Sequence, residues 1–168
     1  DKWHETISTK EFESVLFFKN HGPMSGGSIR HPHSQIIGLR TYDYHEDITV
    51  KNMNGWLLHE DQDVRITLSK HPIIGFFEYN LRYKPDVPAR SIAMRLQQTI
   101  RYVLDSLAKY SQSYNYFFYQ LEDGYEYIKV IPRYITTPLY VGYKIPQTCN
   151  DERAAKILHN ITPYFEVK

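Results

Sequence analysis

Three side chains suited to phosphate chemistry stand at alternate positions: His31, His33 and Gln35. In an extended strand alternate side chains share a face, so we expect these three to point the same way, roughly 6–7 Å from one to the next. Histidine is a competent nucleophile near neutral pH because its neutral form is well populated. The spacing therefore predicts a histidine that attacks a phosphate ester, with a second imidazole and an amide beside it.

A loop rich in glycine and serine precedes these side chains. Its glycines, Gly22, Gly26 and Gly27, allow positive φ and a close approach of the backbone to a ligand. Successive N–H groups in such a loop can form a concave anion site, and Ser28 adds a hydroxyl donor. Gln35 donates without offering a proton to a leaving group, which favours transfer or phosphorolysis over plain hydrolysis.

A single His-x-His in a strand is more often structural, or an adventitious metal site. The glycine loop, Asn20 and Gln35 favour the phosphate interpretation here, because they surround the two histidines with neutral donors. We further expect a backbone carbonyl on the other ring nitrogen to orient the nucleophilic His33.

The pattern Asn-x-Gly-x-x-x-Gly-x-Ser-x-x-His-Pro-His-x-Gln, from Asn20 to Gln35, resembles the galactose-1-phosphate uridylyltransferase branch of the histidine-triad (HIT) superfamily. The resemblance is strong over residues 15–39 and continues weakly to Val141-Gly142-Tyr143-Lys144. It implies that His33 attacks the α-phosphorus of a nucleotide and forms a covalent nucleotidyl-histidine. The nucleotidyl group then passes to a second phosphate, as in a sugar-1-phosphate uridylyltransferase or in a dinucleotide or nucleotide-sugar phosphorylase.

The same resemblance assigns roles to neighbouring residues. It implies that Gln35 hydrogen-bonds a non-bridging phosphate oxygen and that His31 can be a ligand of a structural zinc ion. The residues implied in contacts with phosphate or sugar are Asn20, Gly27, Ser28, Tyr143 and Lys144. Arg30, beside the motif, is a further candidate for neutralising phosphate charge, and a surface role fits it equally well.

Two other functions remain open from the residues alone. One is a nucleotide hydrolase of the same superfamily, and the other is a nucleotide-binding protein without catalysis. The partners in the first interpretation are a nucleotide or nucleotide sugar and a phosphate acceptor. The sequence does not identify the base, the sugar or the acceptor.

Composition limits the class of protein. The 168 residues are 42% hydrophobic and 23% charged, which is enough for one core. A net charge of +1 gives no electrostatic case for nucleic acid or a membrane surface, and no apolar run approaches the roughly 20 residues of a membrane span. The single cysteine, Cys149, excludes an intrachain disulfide framework and favours a cytoplasmic location.

Periodicity and turn residues predict the elements that must position the motif. The predicted strands cover residues 15–19, 31–39, 56–59, 64–68, 73–83, 116–121 and 125–131. An apolar stripe predicts one long helix over 91–110, and a short helix is expected over 151–160. Glu122-Asp123-Gly124 is a hairpin signal between two strands. The fold class is therefore α+β with an antiparallel sheet.

The strand–loop–strand pattern at 15–39 is similar to a strand–turn–strand pattern at 115–131, and the resemblance implies two related HIT-like units. Residues 1–50 are the C-terminal part of a catalytic unit, and 51–168 form a second, degenerate unit with Tyr127 and Lys129 at the histidine positions. Only thirty residues precede His31, and the cysteine pair expected as zinc partners is absent. We therefore expect a fragment with an incomplete first unit, and a homodimer.

Three further candidates lie outside the main motif. Two clusters, 45–47 and 59–61, each combine a histidine with two acids, but neither spacing gathers three metal ligands, so solvated turns are favoured. Lys129 is a candidate for binding phosphate in the degenerate unit.

Overall fold

The computed structural model describes residues 2–27, 29, 31–75, 77–107, 109, 111–134, 142–143, 145 and 148–166. In chain order, its elements are α1 (Lys2–Ser8), β1 (Ser14–His21), β2 (Gln35–Leu39), α2 (Val50–Met53), β3 (Gly55–Glu60), β4 (Val64–Ser69), β5 (Tyr79–Tyr83), α3 (Ala89–Leu107), β6 (Ser113–Gln120), β7 (Glu126–Arg133) and α4 (Asp151–Glu166). Short 3₁₀ turns cover Pro23–Ser25 and Tyr44–Glu46. The predicted α+β class is confirmed.

The seven strands form one antiparallel sheet in the order β2-β1-β6-β7-β5-β4-β3. In β1, Phe18 lies opposite both Gln35 of β2 and Phe117 of β6. Phe117 in turn lies opposite Lys129, which lies opposite Asn80. Because directly paired residues share a face of the sheet, this row defines one face, which we call the front face. The opposite surface is the helix face.

The main core lies between the helix face and helices α3 and α4. Its fully buried strand residues are Ile66, Leu68, Leu81 and Ile128, which pack with Val103 of α3 and Ile161 of α4. Complete burial of each such side chain contributes about 1.5–3 kcal/mol. Helix α1 packs on the same face through Trp3, whose indole N–H donates to the Val15 carbonyl at 2.9 Å. Within the described residues, no helix is long and apolar enough to cross a membrane.

The segment between β2 and β3 covers part of the front face. Within it, Tyr44 and Met53 are buried against Tyr119 and Tyr127. A capping box formed by Thr49 and Asn52 starts α2 within this segment. Nearer the β2 edge, Phe18 and Gln35 stay half exposed. The front face is therefore closed over β7 and more open over β1 and β2.

Two predicted strands begin later than expected. The first begins at Gln35 and not at His31, and Pro32 in the preceding stretch has no N–H to donate to a neighbouring strand. The second begins at Tyr79 and not at residue 73. There the backbone N–H groups of 73–75 donate to the Glu78 carboxylate, so they are not available to a sheet.

The helices also differ from the prediction in length. Helix α3 begins at Ala89, two residues early, and the terminal helix α4 extends to Glu166 and not to residue 160. Pro163 lies inside α4. The buried positions of α4, Ala154, Ile157, Ile161 and Phe165, continue past this proline at helical spacing. Burial of this stripe against the sheet therefore outweighs the backbone hydrogen bond that proline removes.

Candidate functional site

The loop between β1 and β2 is folded back onto the start of β6. Gly22 has φ 81° and ψ 167°, a backbone conformation that is essentially restricted to glycine. A Cβ at Gly22 would lie 2.4 Å from the Ser113 Oγ. The same hydroxyl oxygen accepts a hydrogen bond from the Met24 backbone N–H at 3.1 Å. Both the conformation and the close contact therefore require glycine at position 22.

Side chains from three strands form a chain of hydrogen bonds beneath this loop. The Asn115 Nδ2 donates to the Asn20 Oδ1 at 2.6 Å and to the Ser25 carbonyl at 3.0 Å. The Asn115 Oδ1 accepts from the Arg133 Nη1 at 2.7 Å. Asn115 is only 2% exposed, so its polar atoms must be satisfied inside the protein. The amide of Asn115 therefore ties the loop, β1 and β7 together.

The two histidines of the motif lie side by side just before β2. Their ring centroids are 5.4 Å apart, and the His33 Nδ1 lies 2.9 Å from the His31 carbonyl oxygen. Because a carbonyl only accepts, the Nδ1 of His33 carries the proton, and in the neutral ring Nε2 presents its lone pair. The predicted strand alternation is wrong for these two residues, but the expected backbone carbonyl on His33 is present.

Three other predicted residues belong to the strands and the loop that flank this pair in the chain. Gln35 opens β2 on the front face, and Asn20 lies on the same face two residues beyond the Phe18 partner of Gln35. A Cβ added at Gly27 would lie 3.1 Å from the Asn20 Cβ, so the glycine lets the loop approach this asparagine. The Gly27 N–H is directed to the Ser25 Oγ at 3.4 Å, inside the loop. This amide is therefore not part of an open anion site.

The other predicted contacts are Tyr143, Ser28, Arg30 and Lys144. Tyr143 is 75% exposed, and no contact within the described part of the chain joins it to the loop. Ser28, Arg30 and Lys144 lie outside the described residues. Their roles stay predictions from the motif.

Sequence reasoning missed Asn115 and Arg133. A signal for the first was present, because asparagine is disfavoured in strands and Asn115 interrupts the aromatic run of 114–119. A polar residue within such a run indicates either an exposed position or a buried, hydrogen-bonded one. For Arg133, the chain offers no local signal, since its partner lies 18 residues away.

Lys129 is enclosed on the front face. Its Nζ lies 3.1 Å from the Glu78 Oε2 and donates to the Asn80 Oδ1 at 2.7 Å and the Asn52 carbonyl at 3.0 Å. Its side chain is 0% exposed and that of Glu78 is 1% exposed. Burial lowers the pKa of Lys129, and the Glu78 carboxylate acts in the opposite direction. The ammonium of Lys129 has no surface open to a phosphate.

The cluster 45–47 lies in the 3₁₀ turn at Tyr44–Glu46 and just after it, as favoured from the sequence, whereas in the cluster 59–61 His59 and Glu60 end β3 and only Asp61 follows the strand. Asp61 pairs with the Arg95 guanidinium at 2.7 Å and accepts from the Asp63 and Val64 backbone N–H groups. Partial burial raises the pKa of Asp61, but these hydrogen bonds outweigh it and lower the pKa to about 2. His45 contacts Asp43 and the Gln120 carbonyl.

The residues around His31 do not fit a zinc site. Within the described ranges, no three side chains of histidine, cysteine, aspartate or glutamate lie close enough together to hold a metal ion. The zinc-ligand role of His31 stays a prediction from the resemblance, and no chemical step below involves a metal.

Two domain models of one protein family match the chain. The family model described as the N-terminal domain of DUF4931, a domain of unknown function, matches residues 1–42. The corresponding C-terminal domain model matches residues 45–165. The chain belongs to the DUF4931 family. The crystal structure of a DUF4931 family protein from Bacillus cereus ATCC 10987 is 38% identical, with a TM-score of 0.83, over 98% of this chain and 75% of that chain.

A second solved structure resembles this DUF4931 chain more distantly. It is described as the structure of a uridylyltransferase mutant and is 14% identical, with a TM-score of 0.69, over 95% of this chain and 67% of that chain. This likeness concerns the fold. No curated protein matches the sequence. The DUF4931 chain therefore shares the fold of a uridylyltransferase, on which the His-Pro-His motif is carried between β1 and β2.

Proposed function

We propose that this DUF4931 protein is a nucleotidyltransferase that works through a covalent nucleotidyl-histidine on His33. The observation that supports this most is the hydrogen bond from the His33 Nδ1 to the His31 carbonyl. It leaves the Nε2 lone pair free of a proton, and a histidine in this form can attack phosphorus directly. The uridylyltransferase-like fold and the surrounding motif support the same chemistry.

In the first half-reaction, the His33 Nε2 forms a bond to the α-phosphorus, and the bond from phosphorus to the bridging oxygen breaks. The electron pair leaves with that oxygen on a phosphate, which is a stable anion and needs no proton. Positive charge develops on the imidazole and is stabilised by the bond from Nδ1–H to the His31 carbonyl. In the second half-reaction, a phosphate oxygen of the acceptor attacks the same phosphorus, and His33 leaves with its electron pair.

Neutral donors stabilise the phosphate oxygens during transfer. Gln35, two residues after His33, and Asn20 share the front face, and both side-chain amides can donate to non-bridging oxygens. Ser28, Arg30, Tyr143 and Lys144 remain the proposed contacts to the rest of the substrate, while Gly27 allows the loop to approach Asn20 closely. The substrate classes are a nucleotide sugar or dinucleotide and a phosphate acceptor.

A covalent adduct provides the direct test. The full chain is mixed with UDP-glucose, ADP-glucose or diadenosine tetraphosphate, quenched rapidly, and analysed by peptide mass spectrometry. We expect a nucleoside monophosphate on His33 with at least one of these, and none in His33→Ala. His21→Ala is the matched control, because His21 lies at the end of β1 and stacks on Tyr114 on the helix face. Bound nucleotide without an adduct on the wild-type protein would favour a non-catalytic nucleotide-binding protein.

A nucleotide hydrolase is the second candidate, and the observation that favours it is the His31 ring at 5.4 Å from His33. A second imidazole at that distance can activate a water molecule that releases the nucleotide. Product formation with and without an acceptor phosphate separates the two functions. If the protein is a transferase, product formation without the acceptor should stop after about one molecule of product per molecule of protein. If it is a hydrolase, product should form at the same rate with and without the acceptor.

A further inference from the structure

We propose that Asn115 and Arg133 complete the phosphate site from the far side of β1. Asn115 positions the Asn20 amide, and Arg133 supplies a fixed positive charge to the oxygens of a diphosphate group. This inference rests on the proposed function, because it names further residues of the same site. Anion binding at these two residues can be measured without catalysis.

The positioning role follows from how Asn115 is held. Its Nδ2 uses both N–H groups, on Asn20 and on the Ser25 carbonyl, and its Oδ1 accepts from Arg133. Asn115 therefore cannot turn its amide over without losing contacts to three partners. Since the Asn20 Oδ1 is fixed as an acceptor, the Asn20 Nδ2 is directed away from Asn115 as a donor. Asn20 is half exposed, so this donor can meet a ligand oxygen.

The cationic side chains of β1 and β7 differ in their surroundings. Lys129 is neutralised by Glu78 and fully enclosed. Lys19 lies opposite Tyr116 and so belongs to the helix face. Arg133 lies opposite Ser113 on the front face, the face of Asn115 and Asn20.

The guanidinium of Arg133 is suited to an anion. Arg133 is partly buried, and its guanidinium carries five N–H donors, of which the described contacts use one. The geometry of the remaining donors matches two oxygens of a phosphate group. Asn115 holds the Nη1 in place, so the charge is anchored before a ligand arrives.

The test is titration of the full chain with inorganic pyrophosphate, followed by calorimetry. We expect Arg133→Gln to weaken binding about tenfold or more, because charge-assisted hydrogen bonds are lost. Lys19→Gln is the matched control, since it removes one charge from β1, two strands away and on the other face of the sheet. The affinity of this variant for pyrophosphate should stay within about twofold of the wild type. Arg133→Lys should recover part of the loss. Absence of pyrophosphate binding in the wild type, or equal losses in Arg133→Gln and Lys19→Gln, would overturn the assignment.

A double-mutant cycle tests Asn115. If Asn115 acts through Asn20, Asn115→Ala should weaken pyrophosphate binding in the wild-type background but have little further effect in Asn20→Ala. If Asn115 has a purely structural role, Asn115→Ala should lower the melting temperature, and the losses of pyrophosphate affinity caused by Asn115→Ala and Asn20→Ala should be additive. Thermal unfolding of every variant confirms that binding is measured on folded protein, and Arg133→Gln keeps the proposal testable if Asn115→Ala does not fold.

The two proposals fail in different ways. If no adduct forms on His33 but pyrophosphate binding depends on Arg133 and Asn115, the transferase is wrong and the anion site stands. If the adduct forms and these variants bind pyrophosphate like the wild type, the transferase stands and this inference is wrong.

Discussion

Two strand–connection–strand units lie next to each other in the sheet and differ in what they place on the front face. In the first, Gln35 of β2 lies opposite Phe18, and in the second, Lys129 of β7 lies opposite Phe117. Gln35 is half exposed and follows two histidines, whereas Lys129 is enclosed with Glu78. The same row of the sheet therefore carries an accessible amide on one side and an internal ion pair on the other.

The connections within the two units also differ. The first unit uses a long glycine loop that is held against β6, and the second uses the tight turn Glu122-Asp123-Gly124, closed by a hydrogen bond from the Gly124 N–H to the Leu121 carbonyl. Lys129 in the second unit is paired inside the protein, whereas Gln35 in the first unit is partly exposed. Asn115 of β6 and Arg133 at the end of β7 form the hydrogen-bonded chain that reaches Asn20 of the first unit.

The largest expected effect is the loss of the enclosed ammonium. Lys129→Met leaves the Glu78 carboxylate buried without its cation, and we expect the free energy of unfolding to fall by about 3–5 kcal/mol in urea titrations. Lys19→Met, on the more open strand β1, should cost less than about 1 kcal/mol.

A second variant distinguishes the effect of the unpaired buried charge from the effect of altered side-chain packing. Lys129→Met combined with Glu78→Gln removes both charges, and the new amide keeps one oxygen for the backbone N–H groups of 73–75. The double variant should therefore be more stable than Lys129→Met alone. If the second substitution only adds to the loss, the buried charge is not the reason for it.

The two connections can be compared through their glycines. Gly22→Ala places a Cβ 2.4 Å from the Ser113 Oγ at a φ of 81°, and it should destabilise the protein by about 3 kcal/mol. Gly124→Ala has a similar φ of 77° but no atom within 4 Å of the new Cβ, so about 1 kcal/mol is expected from backbone strain alone. Equal losses, measured by thermal unfolding, would mean that the contact between the loop and β6 contributes little.

The smallest effect on stability is expected for Gln35→His, at a half-exposed position. It should change the unfolding free energy by less than about 0.5 kcal/mol. The new imidazole can donate a proton or activate water, so the ratio of hydrolysis to transfer products should rise. An unchanged product ratio would show that the amide at position 35 does not direct the reaction toward transfer.

Sequence reasoning was most successful where the signal is local. The apolar stripe of α3 and the turn at Gly124 depend on residues a few positions apart, and both are found close to where they were expected. It was less successful where a side chain competes with the backbone. Glu78 binds the N–H groups of 73–75, so a pattern that alternates like a strand does not form one there.

The candidate site also combines residues that are recognisable from local sequence with residues that only the tertiary structure brings together. The histidines, Asn20 and Gln35 stand within one short motif and were recognised from it. Asn115 and Asn20 are 95 residues apart, and their contact depends on β1 pairing with β6 and not with another strand. Strand order is a property of the whole sheet, so the part of the site contributed by β6 and β7 had no signal in the motif.

The position of β1 between β2 and β6 has a consequence for assembly of the protein. The stretch matched by the N-terminal family model, 1–42, supplies β1 and β2, yet β1 has its second hydrogen-bonded neighbour in the other stretch. Made alone, residues 1–42 would expose an open strand edge and a glycine loop without its anchor at Ser113. We therefore expect the nascent chain to form the proposed phosphate site only after β6 has been synthesised. The boundary between the two family models does not separate independent folding units.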